Sequence, residues 1–104
     1  MPSPNQITVA QLRRLIGTPS SPVVIDVRID EDFAVNPRLI PSARRHSHVD
    51  IDELATALCN KRVVVVCHKG KKLSEGAAAV LRNFGVIAEV LVGGMVGWLS
   101  LIHI

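Results

Sequence analysis

The sequence predicts an α/β fold built on a mostly parallel sheet, and three observations carry that expectation. Apolar, β-branched runs alternate along the chain with segments of helical periodicity. The sharpest run, Arg62 to Val66 (RVVVV), has no polar alternation after its first residue, the pattern of a strand buried on both faces and hence of a parallel sheet. The chain has 104 residues, 48% of them hydrophobic. That is one domain over residues 1–104, burying roughly 65% of its unfolded surface. Such a core needs neither disulfides nor a structural metal.

Each element has its own signal. Ile7-Thr8-Val9 reads as a short edge strand. Thr8 then caps a helix through about Ile16, with Leu12, Leu15 and Ile16 on one face. Residues 17–22 (GTPSSP) are a turn cluster. Val23 to Val27 is a buried strand interrupted only by Asp26. Asp30 to Asn36 is a short helix or turn containing Phe33, Pro37 to Pro41 a loop, and Ala43 to His48 a short strand. Asp50 is placed to cap a helix ending near Asn60, with Glu53 at the capping-box position. After the strand Arg62–Val66 comes a loop, His68 to Lys72. A helix from Ser74 to Phe84 follows, and Gly85 stops it. Ala88 to Val92 is a further strand, Gly93-Gly94 a tight turn, and Met95 to Ile102 a terminal helix.

Composition removes several function classes. Aromatic residues are 3% of the chain, with no Tyr, so stacking surfaces for single-stranded nucleic acid are not expected. Two cysteines, Cys59 and Cys67, are too few for a disulfide scaffold. The N-terminus shows no basic segment followed by an apolar run, which points to the cytoplasm. The apolar stretch from Val86 is broken by Glu89, Gly93, Gly94 and Gly97, as in a core strand followed by a helix rather than a membrane span. The net charge is +3. Lys69, Lys71 and Lys72 account for it numerically; the other Lys and Arg balance the 9 Asp and Glu. A surplus concentrated beside Cys67 favours a local anion site over a nucleic-acid or membrane surface.

Cys67 is the focus of the chemistry. It ends a buried strand, where ligands of open parallel sheets bind. It precedes a helix N-terminus, whose free N–H groups and dipole favour an anion. His68 and three lysines lie within five residues of it, and Gly70 lets the loop turn back with its amides inward. This setting favours the thiolate and cradles an anionic substrate or a charged sulfur intermediate.

The segment Val66-Cys67-His68-Lys69-Gly70-Lys71-Lys72-Leu73-Ser74 resembles the active-site loop of the rhodanese family of sulfurtransferases. There a Cys follows the central strand, opens a six-residue loop and precedes a helix. Asp26-Val27-Arg28 resembles the family's Asp-x-Arg, and Asp32-Phe33 the acidic and aromatic pair after it. Ile40-Pro41-Ser42-Ala43 resembles Ile-Pro-Gly-Ala, and Gly93-Gly94 with Trp98 the terminal Gly-Gly and Trp motif. The likeness runs from about Ile7 to Trp98. It implies a rhodanese-like fold, a mostly parallel sheet of four to five strands with helices on both faces. It also implies transfer of sulfane sulfur from an anionic donor such as thiosulfate, through a Cys67 persulfide, to cyanide or a thiol.

In that scheme the loop His68, Lys69, Gly70, Lys71, Lys72, Leu73 and Ser74 holds the donor and the persulfide. No metal and no organic cofactor take part. Lys72 stands where many members have Arg, keeping the charge without the bidentate fork. Ser42 replaces the usual Gly, and Arg38-Leu39 the usual Gly-His. Related Cys-based phosphatases carry Arg six residues after their Cys; here that residue is Leu73. The alternative from another class is a catalytically weak rhodanese-like binding, regulatory or sulfur-relay module; retention of Cys67 favours the enzyme.

The remaining candidates are supporting. Asp26, in an apolar strand, needs hydrogen bonds from local amides or a basic side chain. Arg28 is placed to pair with Glu31 or Asp32. Arg45, in the basic run Arg44-Arg45-His46 that continues to His48, is placed either to gather the anion or to face solvent. A metal site from His46, His48, His68 and Cys67 is disfavoured, because a reactive thiolate and a metal compete for one sulfur. Cys59 and Trp98 read as core. The residues Leu99 to Ile104 close the core or form a patch for a weak homodimer, the chain otherwise being a monomer.

Overall fold

The computed structural model describes residues 5–102. Five strands, β1 (Gln6–Ile7), β2 (Val23–Asp26), β3 (Arg44–Arg45), β4 (Arg62–Val66) and β5 (Ile87–Leu91), form one sheet in the order β1-β5-β4-β2-β3. Every neighbouring pair is parallel. The five helices are α1 (Val9–Leu15), α2 (Asp30–Val35), α3 (Ala55–Leu58), α4 (Lys72–Asn83) and α5 (Gly94–Ile102), with a 3₁₀ segment at His48–Leu54.

The valine run explains why β4 is central. Its side chains alternate between two buried clusters. Val63 and Val65 pack with Ile51, Ala77, Ala78 and Leu81 under α4. Val64 and Val66 pack with Leu12, Leu91, Met95 and Trp98 under α1 and α5. Each of the four is at most 1% exposed, and each such burial stabilises by roughly 1.5–3 kcal/mol. Only a strand covered on both sides can use four consecutive valines, so helices must lie on both faces of the sheet.

Local chemistry sets the helix ends. The Thr8 hydroxyl accepts the Gln11 N–H at 3.1 Å and the Gln11 side chain accepts the Thr8 N–H at 2.8 Å, closing a capping box on α1. The expected cap at Asp50 is corrected. The Ser47 hydroxyl accepts the Val49 N–H at 3.3 Å and opens the 3₁₀ segment. Asp50 lies inside that segment at non-helical angles, φ −106° and ψ 18°. Glu53 lies 3.8 Å from His46 rather than closing a capping box. The expected strand over Ala43–His48 shrinks to Arg44–Arg45, because Ser47 already begins the next element.

Two further expectations shift. α4 starts at Lys72, so Ser74 sits within its first turn. Cys59 is exposed rather than core: it is the residue where the chain leaves α3, while Leu58 fills the space beneath. Trp98 is 4% exposed and Leu99 packs against the same cluster. Of the apolar chain end, His103 and Ile104 lie outside the described residues. Among the described residues no helix is long and apolar enough to cross a membrane.

Candidate active site

The carboxyl end of β4 sits between β5 and β2, and the Val27 N–H donates to the Val66 carbonyl at 2.8 Å. That pairing fixes the backbone up to Cys67, which is 4% exposed. The Gly70 N–H points at Cys67 Sγ from 3.1 Å, and Ser74 Oγ lies 3.1 Å from the same sulfur. Ser74, fully buried, also donates its hydroxyl to the Lys71 carbonyl at 3.1 Å.

A serine hydroxyl has one proton. With a neutral thiol, Ser74 bonds Lys71 and accepts from Cys67. With a thiolate, the same hydroxyl can turn to the sulfur, a stronger acceptor because it is charged. The first intrahelical bond of α4 runs from the Glu75 N–H to the Lys71 carbonyl at 3.0 Å. The N–H groups of Lys72, Leu73 and Ser74 therefore precede the helical ladder and form its positive end.

The loop is held from below by the Gly93-Gly94 turn. The Met95 N–H donates to the Cys67 carbonyl at 2.8 Å and the Val96 N–H to the His68 carbonyl at 3.0 Å. α5 thus uses the loop as its N-terminal partner. Gly70 has φ +72°, and a Cβ there would overlap the Leu91 carbonyl oxygen and the Gly93 and Gly94 nitrogens. The close approach of two backbones, not only the turn, demands glycine. Lys69, Lys71 and Lys72 are exposed around the loop. His68 is half-buried and lines a cavity of about 530 Å³ together with Arg38, Met95 and Val96.

At the end of β2, Arg28 turns back on Asp26. Its Nη2 lies 2.7 Å from Asp26 Oδ2, its Nε bonds both carboxylate oxygens at 3.1 and 2.9 Å, and its backbone N–H reaches Oδ1 at 2.9 Å. The expected pairing of Arg28 with Glu31 or Asp32 is corrected: both residues of the actual pair are 2% exposed, and a buried guanidinium needs the nearest buried carboxylate. The remaining donors go to the Asn36 carbonyl at 2.9 Å and the Arg38 carbonyl at 2.6 Å. One ion pair therefore pins the segment after α2. Asp26→Asn should lower the unfolding free energy by about 3 kcal/mol, since it leaves a buried, unbalanced guanidinium. Urea titration reads this; a loss under about 0.5 kcal/mol, the size of an ordinary surface substitution, would deny the pair that role.

Arg45 bonds the Arg28 carbonyl at 2.9 Å and Asp30 at 3.0 Å, and stacks on the Phe33 ring at 4.1 Å, with Arg28 at 4.9 Å from the same ring. It lines a separate cavity with Ile29, His46, Ser47 and His48. The structure commits it to α2 rather than to the cavity that His68 lines. His46 Nε2 lies 2.9 Å from the Asp50 carbonyl. Among the described residues no group of three or more His, Cys, Asp or Glu side chains is placed to hold a metal. Sequence reasoning missed the carbonyls of Asn36 and Arg38 and the support of the loop by Gly94. The Gly-Gly pair was the one signal available for the latter.

The rhodanese-like domain family model matches residues 8–101. The chain belongs to the rhodanese-like family. No curated protein matches it. Among solved structures, a rhodanese-like domain protein from Staphylococcus aureus is 26% identical with a TM-score of 0.77, covering 90% of each chain. A human single-domain sulfurtransferase, TSTD1, is 22% identical with a TM-score of 0.73, covering 95% of this chain and 97% of its own. A Rhodopseudomonas palustris protein described as a possible tyrosine phosphatase superposes with a TM-score of 0.79 at 18% identity, covering 93% of this chain and 80% of its own. Within this rhodanese-like domain, Cys67 is the thiol at the carboxyl end of the central strand. The other free thiol, Cys59, is exposed at the end of α3.

Proposed function

We propose that this rhodanese-like domain is a sulfurtransferase that carries sulfane sulfur on Cys67. The observation that carries the reading is the cradle of Cys67 Sγ, with the Gly70 N–H and the Ser74 hydroxyl both 3.1 Å away beneath a rim of three exposed lysines. The Cys67 thiolate attacks the outer sulfur of thiosulfate. A bond forms between the two sulfurs, the S–S bond of thiosulfate breaks, and sulfite leaves with the electron pair. The persulfide anion then gives its outer sulfur to cyanide or a thiolate, and Cys67 is regenerated. No metal or organic cofactor enters this balance. Lys69, Lys71 and Lys72 gather the anion, and Gly70 and Ser74 donate to the sulfur. A phosphatase reading lacks the bidentate guanidinium that phosphoryl transfer would use, because Leu73 occupies that place.

The test is the mass of the protein after thiosulfate, with excess reagent removed. We expect a gain of one sulfur atom, about 32 Da, on Cys67 and not on Cys59. Absence of that gain with thiosulfate and with organic persulfide donors overturns the reading.

The lysine rim makes a separate prediction. Lys69→Gln, Lys71→Gln and Lys72→Gln combined should raise the KM for thiosulfate about tenfold or more, since a dianion loses three nearby unit charges. An uncharged persulfide donor should lose far less. The gap should narrow in high salt, where exposed charges are screened. Equal losses for both donor classes would remove this role from the lysines.

A further inference from the structure

The cavity walled by α5 and the end of α2 lies on the other side of the sheet from the reactive sulfur. Cys67 packs with Val63, Val65 and Leu81 in the cluster under α4, and its Sγ is turned to Ser74. Met95, in the cavity wall, packs with Val64 and Val66 on the opposite face. Cys67 is not among the lining residues, so an occupant there is not placed to react with the sulfur. The volume is about 530 Å³, within the range of sites for small organic ligands.

The lining has an apolar part and a polar part. Val96 and Leu99 of α5 and Val35 at the end of α2 supply the first. Val35 is 82% exposed and Val96 45%, so an apolar occupant would take both out of water. The second consists of groups with no hydrogen-bond or ion-pair partner among the described residues: the Arg38 guanidinium, the His68 ring, the Asn36 side-chain amide and the Ser100 hydroxyl.

No Asp or Glu lines the cavity. Arg28 does, but its charge is balanced by Asp26 and its remaining donors are committed to the Asn36 and Arg38 carbonyls, at 2.9 and 2.6 Å. The uncompensated charge is therefore positive and belongs to Arg38. The same two bonds fix the backbone that presents it before any ligand arrives, which reduces the ordering needed on binding.

One wall is tied to the Cys67 loop. The Met95 N–H donates to the Cys67 carbonyl and the Val96 N–H to the His68 carbonyl, and His68 itself lines the cavity. An occupant that bridges α5 and the segment after α2 braces the residues that hold the loop from below.

We propose that this cavity is a regulatory site for a small amphipathic carboxylate, its apolar part between Val35 and Val96 and its carboxylate at Arg38, and that occupancy tightens the bonds from α5 to the Cys67 loop. Nothing reacts in this site, so binding there is independent of sulfur transfer at Cys67.

The probes are 4-phenylbutyrate, its uncharged counterpart 4-phenylbutanol and the short acid butyrate. In an NMR titration of the full-length protein, 4-phenylbutyrate should shift the amide signals of Asn36, Arg38, Met95 and Val96 along one saturable curve, with a Kd of about 1 mM or below. Butyrate should bind about tenfold more weakly, because it buries less apolar area. Arg38→Gln should weaken 4-phenylbutyrate about fivefold or more and leave 4-phenylbutanol unchanged, since only the acid has a charged partner to lose. Val35→Ser/Val96→Ser should weaken both aromatic probes about tenfold. All three positions are exposed, so these variants should keep the fold. Cys67→Ser should bind with the Kd of the unsubstituted protein, because the sulfur faces the other side of the sheet.

Hydrogen exchange reads the coupling. With 4-phenylbutyrate at about ten times its Kd, the Met95 and Val96 amides should exchange about tenfold more slowly, as local opening must first release the ligand. Amide signals that do not move, shifts confined to another face, or equal weakening of acid and alcohol by Arg38→Gln overturn the site. Loss of binding in Cys67→Ser places the probe at the sulfur and overturns it too. Unchanged exchange at Met95 and Val96 under saturation overturns the coupling to the loop.

Discussion

Replacing Cys67 by serine should reduce sulfur transfer by about 10⁴-fold or more, the scale of loss when a covalent nucleophile is removed. The substitution changes little else. The residue is 4% exposed at the end of a strand whose pairing is made by backbone groups. Its two close neighbours, the Gly70 N–H and the Ser74 hydroxyl, are small polar groups that suit an oxygen as well as a sulfur. The fold should therefore stay intact, with an unfolding midpoint in urea close to that of the unsubstituted protein, while the 32 Da adduct disappears. Cys59→Ser supplies the contrast: that thiol is exposed, takes no part in the cradle, and its loss should leave both adduct and rate in place. A Cys67→Ser protein that still transfers sulfur at a tenth of the original rate or more would mean that the sulfur travels by another route.

The separation between these two cysteines illustrates what was readable from the chain. Cys67 was legible because its signal is local: a valine run must be a buried strand, and a strand end beside lysines and a glycine is a recognisable place. Cys59 was not, because its neighbours Ala55 and Leu58 do reach the core and give no hint that the helix stops one residue before the thiol.

The Asp26–Arg28 pair is legible from one side only: Asp26, in an apolar strand, calls for a local amide or a basic side chain, and Arg28 supplies both. From Arg28 alone, the expected partners are Glu31 or Asp32. Yet Arg28 is 2% exposed, and depth selects the carboxylate that is equally buried. Asp50 is a suitable cap by residue type, but the segment already begins at Ser47, whose hydroxyl accepts the Val49 N–H, and Asp50 lies inside it. What the strand pattern conveyed was the sheet and its two faces. The contacts closing the site run between segments far apart in sequence, from Arg28 to Arg38 and from Gly94 to Gly70, and pattern along the chain is silent about those.

Gly94→Ala should damage both stability and activity, although residue 94 bears no functional group. Gly94 has φ +55°, and a Cβ there would overlap the Cys67 carbonyl oxygen, lie 2.5 Å from the Gly70 nitrogen and 2.8 Å from the His68 carbonyl carbon. All three are backbone atoms of the loop, so none can swing aside as a side chain would. The left-handed conformation costs a non-glycine residue about 1–2 kcal/mol, and overpacking adds about 1–3 kcal/mol. A loss of about 3 kcal/mol in urea titration follows from the two together. Relief requires α5 and the loop to separate, which weakens the bonds from Met95 to Cys67 and from Val96 to His68. A displacement of the thiol approaching 1 Å should slow transfer about 10²-fold. Gly76→Ala provides the internal standard. Gly76 lies within α4, and a Cβ there meets nothing within 4 Å, so alanine should stabilise by about 0.5–1 kcal/mol and leave the rate unchanged. If the two alanine variants behave alike, the Gly-Gly turn is not what holds the Cys67 loop in place. If they diverge as expected, a position with no side chain sets the geometry of the reactive sulfur through the closeness of two backbones.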